Sequence, residues 1–301
     1  MRVMITGTTG QLGGRLMSLQ GEAAQRGWTL LGCSRSDWDL AQPEEAASVV
    51  DRFQPDAVIH CAAYTAVDDA EDHADLAHRL NAEAPARLAE ACAQLDIRLI
   101  HISTDYVFDG TATTPIPASA PTAPIGVYGA SKLAGEQAVL RACPKASIVR
   151  VSWLYDREGH NFLNTMLRLA ESHPRLTVVD DQVGCPTHAG HLAEDLLDWL
   201  DLQARDAGQT AGVHHYGHEG ATTWHGFATA ILAERAPEVE VAPVPSSAYP
   251  TKARRPAYSK LDERAFFRVL GRKSVGWKAA LISCLRAKFP NTTSTSRNET
   301  P

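Results

Sequence analysis

The sequence predicts an α/β chain, a Rossmann-type doubly wound parallel sheet joined to a smaller mixed α/β lobe. Three observations carry that prediction. Short β-branched runs alternate with helical stretches through the first half, a glycine-rich turn follows the first run, and after Ser152 the alternation gives way to short elements and loops. At 301 residues the chain can form one large domain or two joined ones, with a sizeable core. The expected division is a dinucleotide-binding part at 1–152, a substrate lobe at 153–290 and a disordered polar tail at 291–301.

The elements follow in order. Residues 3–6 read as the first strand and 13–26 as a helix. Residues 29–34, 57–62, 98–102 and 148–152 read as further strands, and the Ala- and Leu-rich stretch 81–95 as a helix. In the second half, 176–179 reads as a strand, and 192–200 and 224–235 as helices with apolar faces.

Composition narrows the function classes. An apolar share of 44% excludes global disorder, and a net charge of −6 argues against a nucleic-acid binder. No apolar run reaches the roughly 18 residues of a membrane span, and the N-terminus runs straight into a strand without a signal pattern. A cytoplasmic protein is expected. The six cysteines have no metal-like spacing and sit mostly in apolar runs, so they read as buried, reduced thiols.

The first motif is Gly7-Thr-Thr-Gly10-Gln11-Leu12-Gly13, between a strand and a helix. Glycine is wanted where the turn needs positive φ, where backbone meets a pyrophosphate and where helix packs on strand. The helix N-terminus then offers free N–H groups to phosphate. At the end of the second strand Ser34 and Arg35 stand where an NAD-preferring turn usually carries an acid, with Asp39 and Leu40 close behind to line an adenine pocket. That combination suits a 2′-phosphate, so NADPH is expected ahead of NADH.

Tyr128 and Lys132 are four apart at the start of a helix, hence on one face. A free tyrosine holds its proton too tightly to shuttle it well at neutral pH, and a neighbouring ammonium favours the phenolate. Lys132 can also bind ribose hydroxyls and fix the nicotinamide, so Tyr128 and Lys132 are expected to touch the cofactor as well. The strand 98–102 ends in Ser103-Thr104-Asp105-Tyr106, where a hydroxyl can meet a substrate carbonyl.

These residues resemble the dTDP-4-dehydrorhamnose reductases, a branch of the extended short-chain dehydrogenases/reductases. The likeness runs from about Arg2 to Trp277. It is carried by the glycine turn, Ala62-Ala-Tyr-Thr-Ala-Val-Asp68, Ser103-Thr-Asp-Tyr-Val-Phe-Asp-Gly110 and Tyr128-Gly-Ala-Ser-Lys-Leu-Ala-Gly-Glu136. Ser152-Trp153, Asn161-Phe162, Asp181-Gln-Val-Gly-Cys-Pro-Thr187 and Arg255-Pro-Ala-Tyr-Ser-Lys-Leu-Asp262 follow.

The resemblance implies a reductase of a dTDP-4-dehydro-6-deoxyhexose. Tyr128 would donate a proton to the sugar C4 oxygen, Lys132 would tune it, and Thr104 would stand in the place usually held by serine. Ala62, Ala63, Tyr64 and Ser103 would run beside the cofactor. Val67, Asp105, Tyr106 and Trp153 would meet the sugar nucleotide, with Arg255 (beside Lys252 and Arg254) as a candidate for its diphosphate and Asn161 as a weaker one that reads equally as a structural capping residue.

The chain also departs from the family. Residues 113–124 lack the aromatic and acidic residues usual before the catalytic tyrosine. Some relatives are magnesium-bridged dimers using an early glutamate; Gly14 and Arg15 stand there, so a homodimer remains open and no metal is expected. His214, His215 and His218 read as packing or substrate-loop histidines. Two other readings stay open: another nucleotide-sugar ketoreductase or epimerase, and a non-catalytic NADP-binding subunit.

Overall fold

A computed structural model describes residues 1–290; the expected tail at 291–301 lies outside them. The central sheet has six strands, all parallel: β1 (Arg2–Thr6), β2 (Thr29–Cys33), β3 (Ala57–His60), β4 (Arg98–Thr104), β5 (Ser147–Val151) and β6 (Gly212–His215). Their spatial order is β6-β5-β4-β3-β1-β2. The chain therefore leaves β1 to one side for β2 and crosses back for β3. The C-terminal ends of β1 and β3 flank the resulting switch point, where open α/β sheets bind ligands.

Both faces of the sheet are covered. Val3, Ile5, Ile59, Ile100 and Val149 pack with Leu12 and Leu16 from the first helix, and with Leu192, Leu196 and Trp199 from the helix Ala189–Arg205. Met4, Val58, Leu99 and Ile148 pack on the other face against Val49, Leu88 and Val139. The chain thus returns to the sheet after residue 152 with the helix Ala189–Arg205 and with β6, an edge strand hidden in a His-rich stretch without obvious β character. A second core, built on Tyr155, Leu163, Phe227, Ile231 and Trp277, holds the smaller lobe together.

Two helices differ from the sequence pattern for local reasons. The stretch 13–26 is split into Gln11–Met17 and Gln20–Gln25. At the break, Ser18 Oγ donates to the Arg15 carbonyl and Leu19 N bonds Leu16 O, a tighter turn than the α ladder. The stretch 81–95 is a π turn at Arg79–Glu83 followed by the helix Ala84–Gln94. Pro85 has no N–H to give the Asn81 carbonyl, so the ladder shifts there.

That freed carbonyl sits beside the helix Val127–Ala142, which carries Tyr128 and Lys132. A Cβ on Gly135 would lie 2.0 Å from Asn81 O, and one on Gly129 2.1 Å from Tyr106 O. The two glycines let this helix approach the backbone that frames the site. Glu71 Oε1 accepts from Val127 N and so caps the helix entry at 2.9 Å.

Candidate active site

A cleft of about 950 Å³ opens over the C-terminal ends of β1–β5. It is lined by Gly7, Gly10, Gln11, Leu12 and Gly13 from the first turn and by Ser34, Arg35, Asp39 and Leu40 after β2. Ala62, Ala63, Tyr64 and Val67 follow β3; Ser103, Thr104, Asp105 and Tyr106 end β4. Tyr128, Lys132 and Trp153 complete the wall. Residues scattered over about half the chain therefore converge because each follows a parallel strand or faces its end.

The glycine turn is a tight cradle. Gly7 has φ +69°, and a Cβ there would meet Ala62 N at 2.8 Å. A Cβ on Gly13 would fall 2.2 Å from the Gly7 carbonyl oxygen. No side chain caps the helix that starts at Gln11, so its first N–H groups face the cleft without a side-chain acceptor. Thr6 Oγ1 accepts from Cys61 N and Ala62 N at 3.1 Å, stitching the turn to the loop after β3. The cradle, with Ala62 and Ala63 opposite, has the shape a dinucleotide backbone needs.

After β2, Ser34 N and Oγ both donate to Asp37 Oδ2, at 2.9 and 2.7 Å, and these bonds hold the Asp37 carboxyl below the usual range. Arg35 stands free of this turn, 83% exposed, with Asp39 at 3.5 Å. It is an exposed cation at this end of the cleft.

At the other end the tyrosine is sunk into the protein. Burial pushes the Tyr128 phenol up to about 12, partly countered by the hydrogen-bonding Thr104 side chain and reinforced by Asp105. The expected lowering by Lys132 is not the arrangement found. The ammonium donates to the Ile102 carbonyl at 2.8 Å and lies 3.5 Å from His101 Nε2, turned to the strand rather than to the phenol. Burial lowers Lys132 to about 8. Thr104 Oγ1 accepts from Tyr106 N and donates to Asp105 Oδ1. Burial raises Asp105 to about 6, against hydrogen bonds from Ser259 and Thr104.

Trp153 sits at φ +49°, a left-handed conformation rare for a bulky side chain. Its ring stacks on Trp224 at 3.6 Å, and a Cβ on Gly184 would strike it at 2.5 Å. Gly184 belongs to the Asp181–Thr187 motif, whose glycine therefore makes room for the indole. Thr187 N donates to Trp153 O at 3.1 Å, and Val183 N to Ala257 O at 2.8 Å, so the three late motifs meet behind the cleft.

Two candidates are placed elsewhere. Asn161 is a helix cap: Oδ1 accepts from Asn164 N, and Nδ2 donates to the Asp156 and Glu158 carbonyls. Its polar atoms are all engaged, and it does not line the cleft, which corrects its reading as a diphosphate ligand. Arg255 also lies outside the lining; its guanidinium pairs with Asp68 at 2.6 Å, next to the lining residue Val67. Lys252 pairs with Asp72 and likewise does not line the cleft.

The sequence reading missed several contributors. Residues 156–160, from the loop after β5, form a wall of the cleft, tied to the first helix where Asp156 takes two bonds from Arg15 Nη2 at 2.8 Å. Asn81 ties the loop after β3 to the helix Val127–Ala142, accepting from Tyr64 N at 2.8 Å and donating to Tyr64 O and Ser131 Oγ at 3.0 Å. A polar residue in an Ala-rich helix just before a proline was the available signal.

None of residues 113–124 lines the cleft. Ile116 is instead clamped by Lys260 O, Asp262 N and His215 Nδ1. His214 bonds the Thr210 carbonyl, and His218 Nε2 accepts from His188 N, so the three histidines serve packing. All six cysteines are free, and five are buried. No described helix is long and apolar enough to cross a membrane.

Comparison with known proteins gives a consistent result. The family described as "RmlD substrate binding domain" matches residues 1–289. A dTDP-4-dehydrorhamnose reductase of Mycobacterium tuberculosis is 42% identical, over 98% of this chain and 96% of that protein. A solved dTDP-4-dehydrorhamnose reductase from Clostridium acetobutylicum superimposes with a TM-score of 0.88 at 35% identity, covering 95% and 99% of the two chains. The Bacillus anthracis dTDP-4-dehydrorhamnose reductase, solved in complex with NADP, gives 0.86 at 34% identity, with the same coverage.

Proposed function

Because the chain belongs to the dTDP-4-dehydrorhamnose reductase family, we propose that it is an NADPH-dependent oxidoreductase reducing the C4 keto group of a dTDP-4-dehydro-6-deoxyhexose in the cytoplasm. The observation that carries this reading is the convergence of the glycine cradle and the buried Tyr128–Thr104 pair in one cleft. NADPH would supply the hydride; a relative in this family is solved in complex with NADP.

The residues divide the remaining work. Gly7, Gly10, Gly13, Gln11 and Leu12 cradle the pyrophosphate end; Ser34 and Arg35 meet the 2′-phosphate, and Asp39 and Leu40 the adenosine. Ala62, Ala63, Tyr64 and Ser103 flank the nicotinamide side. Reduction of a ketone needs a protonated acid beside the carbonyl. A tyrosine pushed up by burial keeps its proton until negative charge develops on the sugar oxygen, which is when transfer becomes favourable. Thr104 supplies a hydroxyl to the same oxygen. Lys132 brings a positive charge to the site. Val67, Asp105, Tyr106 and Trp153 hold the sugar.

The reading is tested by mixing the enzyme, NADPH and a panel of 4-keto sugar nucleotides. One NADPH oxidised per dTDP-4-dehydro-6-deoxyhexose reduced supports it. Interconversion of sugar isomers without net NADPH loss supports an epimerase, and no turnover on any member supports the binding-subunit reading.

Two variants test the cofactor end. Gly13→Ala forces a methyl into the Gly7 carbonyl, and an overpacking strain of about 1–3 kcal/mol translates to NADPH binding weaker by about 5- to 150-fold, read by nicotinamide fluorescence. Arg35→Ala removes an exposed phosphate partner. It should raise the KM for NADPH by about tenfold while changing that for NADH by less than about twofold, as one charge-assisted bond would.

A further inference from the structure

The catalytic lysine occupies an unusual site for a cation. Lys132 is 2% exposed, and among the described residues no carboxylate lies within ion-pair distance of it. Glu136, one turn along the same helix, is committed to Ser103 Oγ at 2.5 Å and to Arg150 Nε and Nη2 at 2.8 and 2.6 Å. What the ammonium does have is the Ile102 carbonyl and the His101 imidazole. A buried cation with so few partners is costly, so each of them matters to its charge state.

The chemistry of the histidines is fixed by their surroundings. Thr6 Oγ1 already accepts two backbone N–H bonds, so its own hydrogen points to His60 Nδ1 at 2.8 Å. His60 therefore carries its proton on Nε2 and is neutral. Its ring stacks on His101 at 5.2 Å and 19°. Both rings are 1% exposed, and burial together with the Lys132 charge drives both well below the ordinary imidazole range. A neutral His101 can present a lone pair on Nε2 to the ammonium. The other titratable groups acting on Lys132 are Glu136 on its own helix, which is paired with Arg150, and Cys61 after β3.

We propose that His101 is a positioning residue for Lys132: its imidazole, backed by His60, is the side-chain acceptor that keeps the lysine charged and held against β4 beside the cleft. The inference deepens the reductase reading and relies on it only for the consequence in turnover. Because hydrogen bonding to the charged form favours that form, loss of the acceptor makes the ammonium release its proton at lower pH.

The test reads Lys132 directly. The full chain is prepared with isotope-labelled lysine, and the Lys132 signal is identified by its disappearance in Lys132→Met. Its titration is then followed by NMR. His101→Leu should lower the midpoint by about one unit, and His101→Gln, which retains an acceptor of similar reach, should hold it within about 0.3 units of the original. The alkaline limb of kcat at saturating NADPH should shift in the same direction in the leucine variant alone. If His101→Leu does not fold, His101→Asn replaces it, since the shorter amide falls away from Nζ and should lower the midpoint while glutamine does not. Equal midpoints in the original chain and the folded leucine or asparagine variant would overturn the proposal. A shifted midpoint in a chain that consumes no NADPH with any keto sugar would refute the reductase reading and leave the role of His101 standing.

Discussion

Tyr128→Phe lowers kcat by about two orders of magnitude or more while NADPH affinity stays within about twofold of the original. The size follows from what a positioned proton donor contributes, typically 10²–10⁴-fold. The direction follows from geometry. The phenol is buried and adjoins Thr104, and burial raises it to about 12, so it enters the reaction protonated. Phenylalanine keeps the ring and its edge contact with Tyr106 at 5.4 Å, so the cleft retains its shape. Stopped-flow turnover and fluorescence binding separate the two quantities. A variant with near-normal turnover and intact cofactor binding would remove Tyr128 from the mechanism.

The second large effect is on stability. Glu136→Ala destabilises the fold by about 3–5 kcal/mol, because it strands a guanidinium in the interior. Arg150 is 4% exposed and binds Glu136 through Nε and Nη2; its Nη1 lies 3.3 Å from His215 Nε2. His215 in turn donates from Nδ1 to Ile116 O at 2.9 Å, and Ser103 donates to Glu136 beside Thr104. The network therefore joins β4, β5, β6, the catalytic helix and the segment 113–124. Urea unfolding is the measurement. The double variant Glu136→Leu/Arg150→Met should recover most of the loss, since a buried pair replaced together leaves no charge uncompensated. If the double variant is as unstable as the sum of the singles, the ion pair is not the cause.

These two predictions differ in how visible their residues were beforehand. Tyr128, Thr104 and the glycine turn are local patterns. Each follows a short apolar strand, and a parallel sheet brings strand C-termini to one edge, so sequence order alone places them in the cleft. Glu136 was visible only as the end of a motif. Its partners Arg150 and His215 lie 14 and 65 positions from their contacts in sequence, and nothing local marks them. β6 was missed because Gly212–His215 has one β-branched residue, and its place is fixed by pairing with β5.

The limits were sharpest for charged and amide side chains. Asn161 and Arg255 have chemistry suited to a diphosphate, but their partners decide what they do. The Asp156 and Glu158 carbonyls claim the Asn161 amide, and Asp68 claims the Arg255 guanidinium. Lys132 was read as the tyrosine's tuner because spacing places both on one helical face. Spacing does not say where a long flexible chain ends, and here it ends at the Ile102 carbonyl.

The central claim is that one cleft passes a hydride to a sugar carbonyl while Tyr128 supplies the proton. It is tested most directly by running the reaction with NADPH carrying deuterium at both positions of nicotinamide C4 and examining the sugar by NMR. The account predicts one deuterium at sugar C4 of the reduced dTDP-6-deoxyhexose for each NADPH consumed, and loss of that transfer in Tyr128→Phe. Recovery of reduced sugar unlabelled at C4 would contradict it.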